Sequence, residues 1–156
     1  MNEDNLVKVV LSTEYDDDDE VMVETPWAID LGNKQYQLKN PPYYFYGLSY
    51  DDIFEAEPMY EDDERPYFTK VVKKSGNRTV RIILPESIKE SESSKKLLNT
   101  IANFDCGYEG TDGERFFVVN IQPHCDFDEV CNFLTDNNIE WEHADPTYEE
   151  LHPEEN

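Results

Sequence analysis

Residues 115–134 read RFFVVNIQPHCDFDEVCNFL, and the hydrophobic period changes inside that stretch. Phe117, Val119 and Ile121 alternate with their neighbours, which is the two-residue period of a strand with one covered face. After Pro123 the spacing lengthens, and Phe127, Val130, Cys131 and Leu134 fall on one stripe of a helix. Asp126 stands at the N-cap position, with Glu129 three residues on as its capping-box partner. The stretch is therefore a strand, a connection and a capped helix. Upstream, residues 106–109 make a short strand that reaches it through the hairpin turn Thr111-Asp112-Gly113. Further upstream, SSKKLLNTIANF at residues 93–104 sets Leu97, Leu98, Ile101 and Phe104 at helical spacing, and RTVRIIL at residues 78–84 is a strand. Downstream, residues 139–143 form a last short strand. The order β-α-β-β-α-β over residues 78–145 predicts a ferredoxin-like unit. Its expected core holds Leu97, Leu98, Ile101, Phe117, Val119, Val130 and Leu134.

Residues 1–77 read differently. LVKVVLS at residues 6–12 is a β-rich run, and residues 21–31 resume as a strand around Trp27. Gly32-Asn33 is a turn signal leading into residues 34–38, so a hairpin is expected. Asn40-Pro41-Pro42 stops the ladder, because proline donates no backbone hydrogen bond. The aromatic run YYFYGL at residues 43–48 is expected to close the mouth of a small barrel. Residues 53–59 and 67–74 are strands, and Ser75-Gly76-Asn77 is a turn. Short strands and tight turns predict a small antiparallel β-barrel or a curled sheet over this region, packed against the ferredoxin-like region. The fold class is α+β. The acidic, proline-containing tail at residues 146–156 is expected to be loosely ordered.

The 156 residues carry a net charge of −23. Residues 1–64 hold 3 Lys+Arg and 18 Asp+Glu, a net of −15. Residues 65–96 hold 9 and 3, a net of +6, and residues 97–156 hold 1 and 15, a net of −14. A charge of this size exceeds the magnitude of about 2–8 that suffices for solubility of a small domain. It repels nucleic acid, so none is expected as a partner. No run of eighteen apolar residues exists, so no membrane association is expected. The start MNEDNLVKVV has no apolar export core, and three cysteines leave one over from any pairing; both predict reduced thiols and a cytoplasmic setting. His124, Cys125 and Cys131 lie close in sequence but fit no metal-ligand spacing, so no metal is expected. No nucleophile, metalloprotease or phosphate-loop signature occurs, and the paired carboxylates near Asp51 and Glu55 have no histidine or nucleophile beside them. No catalytic residue and no cofactor is assigned.

Several short blocks carry a resemblance. They are Trp27-Ala28, Asn40-Pro41-Pro42-Tyr43, Tyr46-Gly47, Asp52-x-Phe54-x-Ala56 and Ser75-Gly76-Asn77-Arg78-Thr79-Val80-Arg81. Together they resemble a bacterial family of small cytosolic proteins known only as a domain of unknown function. The acidic runs at residues 16–20 and 61–64 depart from the usual member. The resemblance implies no established activity. Small proteins of this type are similar to the immunity partners found beside polymorphic toxins.

The expected function is that of an acidic binding protein, an immunity protein or inhibitor that neutralises a basic bacterial toxin or effector by covering its active site. The expected contact residues are Asp16, Asp17, Asp18, Asp19, Glu20, Tyr43, Tyr44, Asp51, Asp52, Glu55, Tyr60, Glu61, Asp62 and Asp63. Acidic loops supply steering, and tyrosines supply desolvated anchors. The chain is expected to be a monomer or small oligomer. The basic block has two readings. Its charges pair with acidic neighbours inside the fold, or Lys73, Lys74, Arg78 and Arg81 line an anion site. Arg78 and Arg81 are three apart on a strand and so point to opposite faces, which favours the first. A nucleic-acid mimic, and a small-ligand protein or enzyme built on residues 75–81, are the alternatives.

Overall fold

The computed structural model describes residues 5–14, 21–110 and 114–153. The chain divides into two compact units, Met1–Asn77 and Arg78–Asn156.

In the first unit β1 (Leu6–Lys8), β4 (Trp27–Gly32), β5 (Gln35–Leu38), β6 (Ile53–Glu57) and β7 (Tyr67–Lys73) form an antiparallel sheet in the order β1-β4-β5-β6-β7. β2 (Leu11–Glu14) and β3 (Val21–Glu24) make a separate two-stranded hairpin. Two continuous strands expected from the sequence are therefore each split. Pro26 has no N–H to give to a ladder, so residues 21–31 break there and the halves enter different sheets. The run at residues 6–12 breaks at Val9 and Val10. Val9 donates to the Pro26 carbonyl (3.1 Å), while Val10 donates to Pro66 (2.8 Å) and accepts from Phe68 (3.0 Å). That places one parallel bridge between Val10 and Tyr67. The sheet curls until its first segment touches its last strand, but among the described residues no ladder joins β1 to β7. The barrel alternative is thereby corrected: the sheet is open. Val9, Leu11, Ala28, Leu38, Leu48, Phe54 and Ala56 form the buried cluster beneath it, with Phe45 and Phe68 packed edge to face at 4.9 Å.

The second unit runs β8 (Arg78–Ile83), α1 (Glu92–Asn103), β9 (Gly107–Gly110), β10 (Phe116–Ile121), α2 (Phe127–Asp136), β11 (Glu140–Asp145) and α3 (Tyr148–Leu151). Its sheet is antiparallel, ordered β11-β8-β10-β9. Val80, Ile82, Phe117, Val119 and Ile121 share one core with Leu98 and Ile101 of α1 and with Phe127, Val130 and Leu134 of α2. Leu97 packs against that cluster half-buried. Ser91 caps α1 by accepting from Ser94 N–H (3.1 Å), and Asp126 caps α2 by accepting from Glu129 N–H (3.1 Å). The turn at residues 111–113 lies outside the described residues. The segment after Pro146 is more ordered than expected through residue 153: Thr147 and Glu150 form a capping box that starts α3. No helix of the described residues is long and apolar enough to cross a membrane.

Gly110 sits opposite Phe117, and a Cβ there would stand 2.5 Å from the ring. The ring is 4% exposed and has nowhere to go. Gly110→Ala is expected to destabilise by about 1–3 kcal/mol, the usual cost of overpacking. Gly107, whose added Cβ meets nothing within 4 Å, is the control. Urea unfolding of both alanine variants checks this, with Gly107→Ala staying within about 0.5 kcal/mol of the parent.

Candidate functional site

The loop before β6 and the turn after β7 are tied together by one carboxylate. Asp52 is 0% exposed. It accepts from Ser49 N–H (2.8 Å), from Ser75 N–H (2.7 Å) and from the Lys74 ammonium. Lys74 also donates to the Gly47 carbonyl (2.9 Å). Ser75 Oγ (2.7 Å) and Asn77 Nδ2 (3.0 Å) both donate to the Tyr50 carbonyl. Gly76 takes φ +97°, the left-handed region that side chains avoid. The blocks Tyr46-Gly47, Asp52 and Ser75-Gly76-Asn77, scattered in sequence, thus form one clasp whose polar groups are spent on one another. Asp52 is buried inside it and so is not on a surface offered to a partner, whereas the Lys74 side chain stays 44% exposed at its edge.

A second carboxylate holds the aromatic loop. Glu24, at the end of β3, accepts from three consecutive backbone N–H groups: Tyr43 (2.7 Å), Tyr44 (2.8 Å) and Phe45 (3.0 Å). Such a run of inward N–H groups is an anion nest, here filled by the protein's own side chain. Tyr43 and Tyr44 are half-buried beside it. The sequence reading missed Glu24, because a single acid in a β-run carries no local signal of a partner nineteen or more residues away.

The remaining acids of the first unit sort into two groups. Asp51 pairs with Lys39 (2.6 Å), Glu55 with Lys70 (3.2 Å) and Glu57 with Lys34 (2.8 Å). Asp63 accepts from the Arg65 guanidinium (2.9 and 2.7 Å), from Arg65 N–H (3.0 Å) and from the Tyr67 hydroxyl (2.6 Å). Those Arg65 hydrogen bonds, then the one from Tyr67, hold the Asp63 carboxyl well below the usual carboxylate range. Glu61, Asp62 and Glu64 are exposed and form no ion pair among the described residues. Beside them Met59 and Tyr60 are each 61% exposed. The Tyr60 ring stands edge to face on Tyr67 at 5.3 Å, and a backbone bridge joins Tyr60 to Asp63. The turn between β6 and β7 thus presents a held Tyr60 and an exposed Met59 beside the acids Glu61, Asp62 and Glu64. Asp16, Asp17, Asp18, Asp19 and Glu20 lie outside the described residues.

The basic block does not converge. Lys73 is exposed. Arg78 lies on the helix-covered face of β8, its guanidinium 4.8 Å over the Phe127 ring. Arg81 is on the other face, 2% exposed at its side chain, and pairs with Glu142 at 3.2 Å. Elsewhere, His124 contacts Asp105 (2.7 Å) and Cys125 Sγ donates to the Phe104 carbonyl (3.2 Å). Burial pushes the Cys106 and Cys131 thiols up to about 12, which favours the neutral thiol over the thiolate.

Comparison with known proteins adds a family and a fold. The family model described as "Domain of unknown function (DUF4265)" matches residues 24–143. A solved structure described as "Novel crystal structure of a hypothetical protein from Neisseria gonorrhoeae" superposes with a TM-score of 0.71 at 20% sequence identity. The alignment covers 88% of this chain and 92% of that one. At that identity the likeness is one of fold. Comparison with curated proteins gives no match.

Proposed function

The chain belongs to the family Domain of unknown function (DUF4265), and from that premise we propose that it is an acidic binding protein of the immunity or inhibitor type, which neutralises a basic bacterial toxin or effector by covering its active site. One observation carries the reading: in the β6–β7 turn, Met59 and Tyr60 are 61% exposed beside three acids that form no ion pair among the described residues, while Glu55 and Glu57 on the neighbouring strand are neutralised. An apolar centre with a charged rim is the anatomy of a protein interface. Tyrosine gives large contact area at low entropic cost, and the Asp63–Arg65–Tyr67 network holds it ready before binding. The unpaired acids, with the chain's net charge of −23, draw a basic partner in. The cytoplasm is the setting this reading requires.

The two roles separate by mutation. The partner is captured from bacterial cytosol at low salt, and its binding kinetics are then measured. Neutralising Glu61, Asp62 and Glu64 to their amides is expected to slow association and flatten its salt dependence, with little change in dissociation. Tyr60→Ala is expected to speed dissociation about tenfold or more, which corresponds to about 1.4 kcal/mol. Association indifferent to salt and to the neutralised acids, together with unchanged dissociation of the tyrosine variant, would overturn the proposal.

For the second unit we read the finer fold as ferredoxin-like. The strand order β11-β8-β10-β9 and the single core shared by α1, α2 and one sheet face support it.

A further inference from the structure

We infer that a cleft on the helix-free face of the second unit's sheet receives an arginine side chain of the basic partner, a claim that rests on the reading above and names a second point of contact. The cleft encloses about 380 Å³ and is lined by Arg81, Ile83, Phe116, Glu140, Trp141 and Glu142. That volume lies within the range of about 300–1,000 Å³ typical of small-ligand pockets and is ample for one side chain. Register builds it. Glu140, Ile83 and Phe116 are direct neighbours across three strands, and Glu142 and Arg81 are neighbours in a second row on the same face.

The charges it offers are carboxylates. Arg81 is withdrawn, with its side chain 2% exposed, and it fixes Glu142, whose side chain remains 48% exposed. Glu140 is exposed and has no ion pair among the described residues. Beside these acids Ile83 is 40% exposed, an apolar surface left in water. Arg81 offsets Glu142, so the cleft keeps a net negative charge, carried by Glu140, and disfavours an anion. A cation on an aliphatic stem meets matching chemistry on both counts. Guanidinium suits the cleft better than ammonium, because it can pair bidentately with Glu140 and lie flat against the Phe116 ring. A partner's arginine is preferred to a free amine because the chain's field already selects a basic macromolecule.

The test uses the full chain and a named probe, N-acetyl-Gly-Arg-Gly-amide, followed by the backbone amide shifts of Ile83, Phe116, Glu140 and Glu142. Saturable binding is expected, with at least tenfold weakening in Glu140→Gln and none for the same peptide carrying citrulline. Glu140 is exposed on an edge strand, so that variant folds. Phe116→Leu, which keeps the apolar volume and removes the ring, is expected to weaken binding several-fold. Equal binding of the citrulline peptide, an unchanged Glu140→Gln, or no shift with millimolar peptide would overturn the inference. Agmatine binding more tightly than the peptide would also overturn it, by assigning the cleft to a free amine. Partner capture separates the two readings. If Tyr60→Ala lowers capture and Glu140→Gln does not, this inference fails alone. If Glu140→Gln lowers capture and Tyr60→Ala does not, the β6–β7 turn reading fails alone.

Discussion

Asp52→Ala is expected to lower the stability of the protein by about 2–6 kcal/mol, the cost of leaving two backbone N–H groups without their acceptor. The carboxylate is 0% exposed and receives two backbone N–H groups and the Lys74 ammonium. Removing it leaves the N–H groups of Ser49 and Ser75 without their acceptor. Each such loss costs about 1–3 kcal/mol. Lys74 contributes less, because its side chain is 44% exposed and water replaces its partner. Asp52→Asn should fall between parent and alanine, since an amide oxygen still accepts from one donor while its NH₂ opposes the others. Urea unfolding followed by tryptophan emission measures all three. A loss under about 1 kcal/mol for the alanine variant, ordinary for a surface change, would show that the clasp is not what ties the two loops.

Glu24→Ala is expected to cost about 2–3 kcal/mol, a charge-assisted set of hydrogen bonds lost from a half-buried site. The loop carrying Tyr43 and Tyr44 would lose the carboxylate that accepts from three of its backbone N–H groups, so hydrogen exchange at Tyr43, Tyr44 and Phe45 should accelerate more than at β5. Glu24→Gln is the sharper experiment. The three N–H groups all point at two carboxylate oxygens. Glutamine keeps one oxygen and turns a donor toward the others, so it should cost nearly as much as alanine despite its equal size. A silent Glu24→Gln would mean that water already serves these amides. Tyr43 and Tyr44, which serve as anchors in the proposed binding role, would lose their fixed placement as well.

Local chemistry made the second unit readable. The stripe of Phe127, Val130, Cys131 and Leu134, the Asp126 cap and the alternation of Phe117, Val119 and Ile121 all depend on residues within a few positions of one another, and each stands where the sequence places it. The turn at Ser75-Gly76-Asn77 is legible for the same reason, since a glycine between polar residues answers a local demand for positive φ. The splits at Pro26 and at Val9-Val10 were harder. Pro26 is visible as a breaker, but which sheet each half joins is a matter of distant pairing. Val10 gives no warning at all, because a valine serves equally well inside a strand and as a single bridge to Tyr67.

The charge followed the same division. Residue order alone fixes that the protein is strongly acidic, that its basic residues cluster at residues 65–96, and that the strands and two long helices of residues 78–145 follow one another as they do. It could not determine which acids are spent. Glu55 is neutralised because antiparallel register sets it directly opposite Lys70, and Asp52 is buried because the turn after β7 folds back over it, 22 and 23 residues along the chain at Lys74 and Ser75. Glu61, Asp62 and Glu64, carboxylates like these, form no ion pair among the described residues because their turn extends beyond the last ladder pair, Glu57 with Tyr67. Periodicity and capping are short-range and are written in neighbouring residues. Neutralisation and burial are long-range, and only the packing of segments that meet across the sheet decides them.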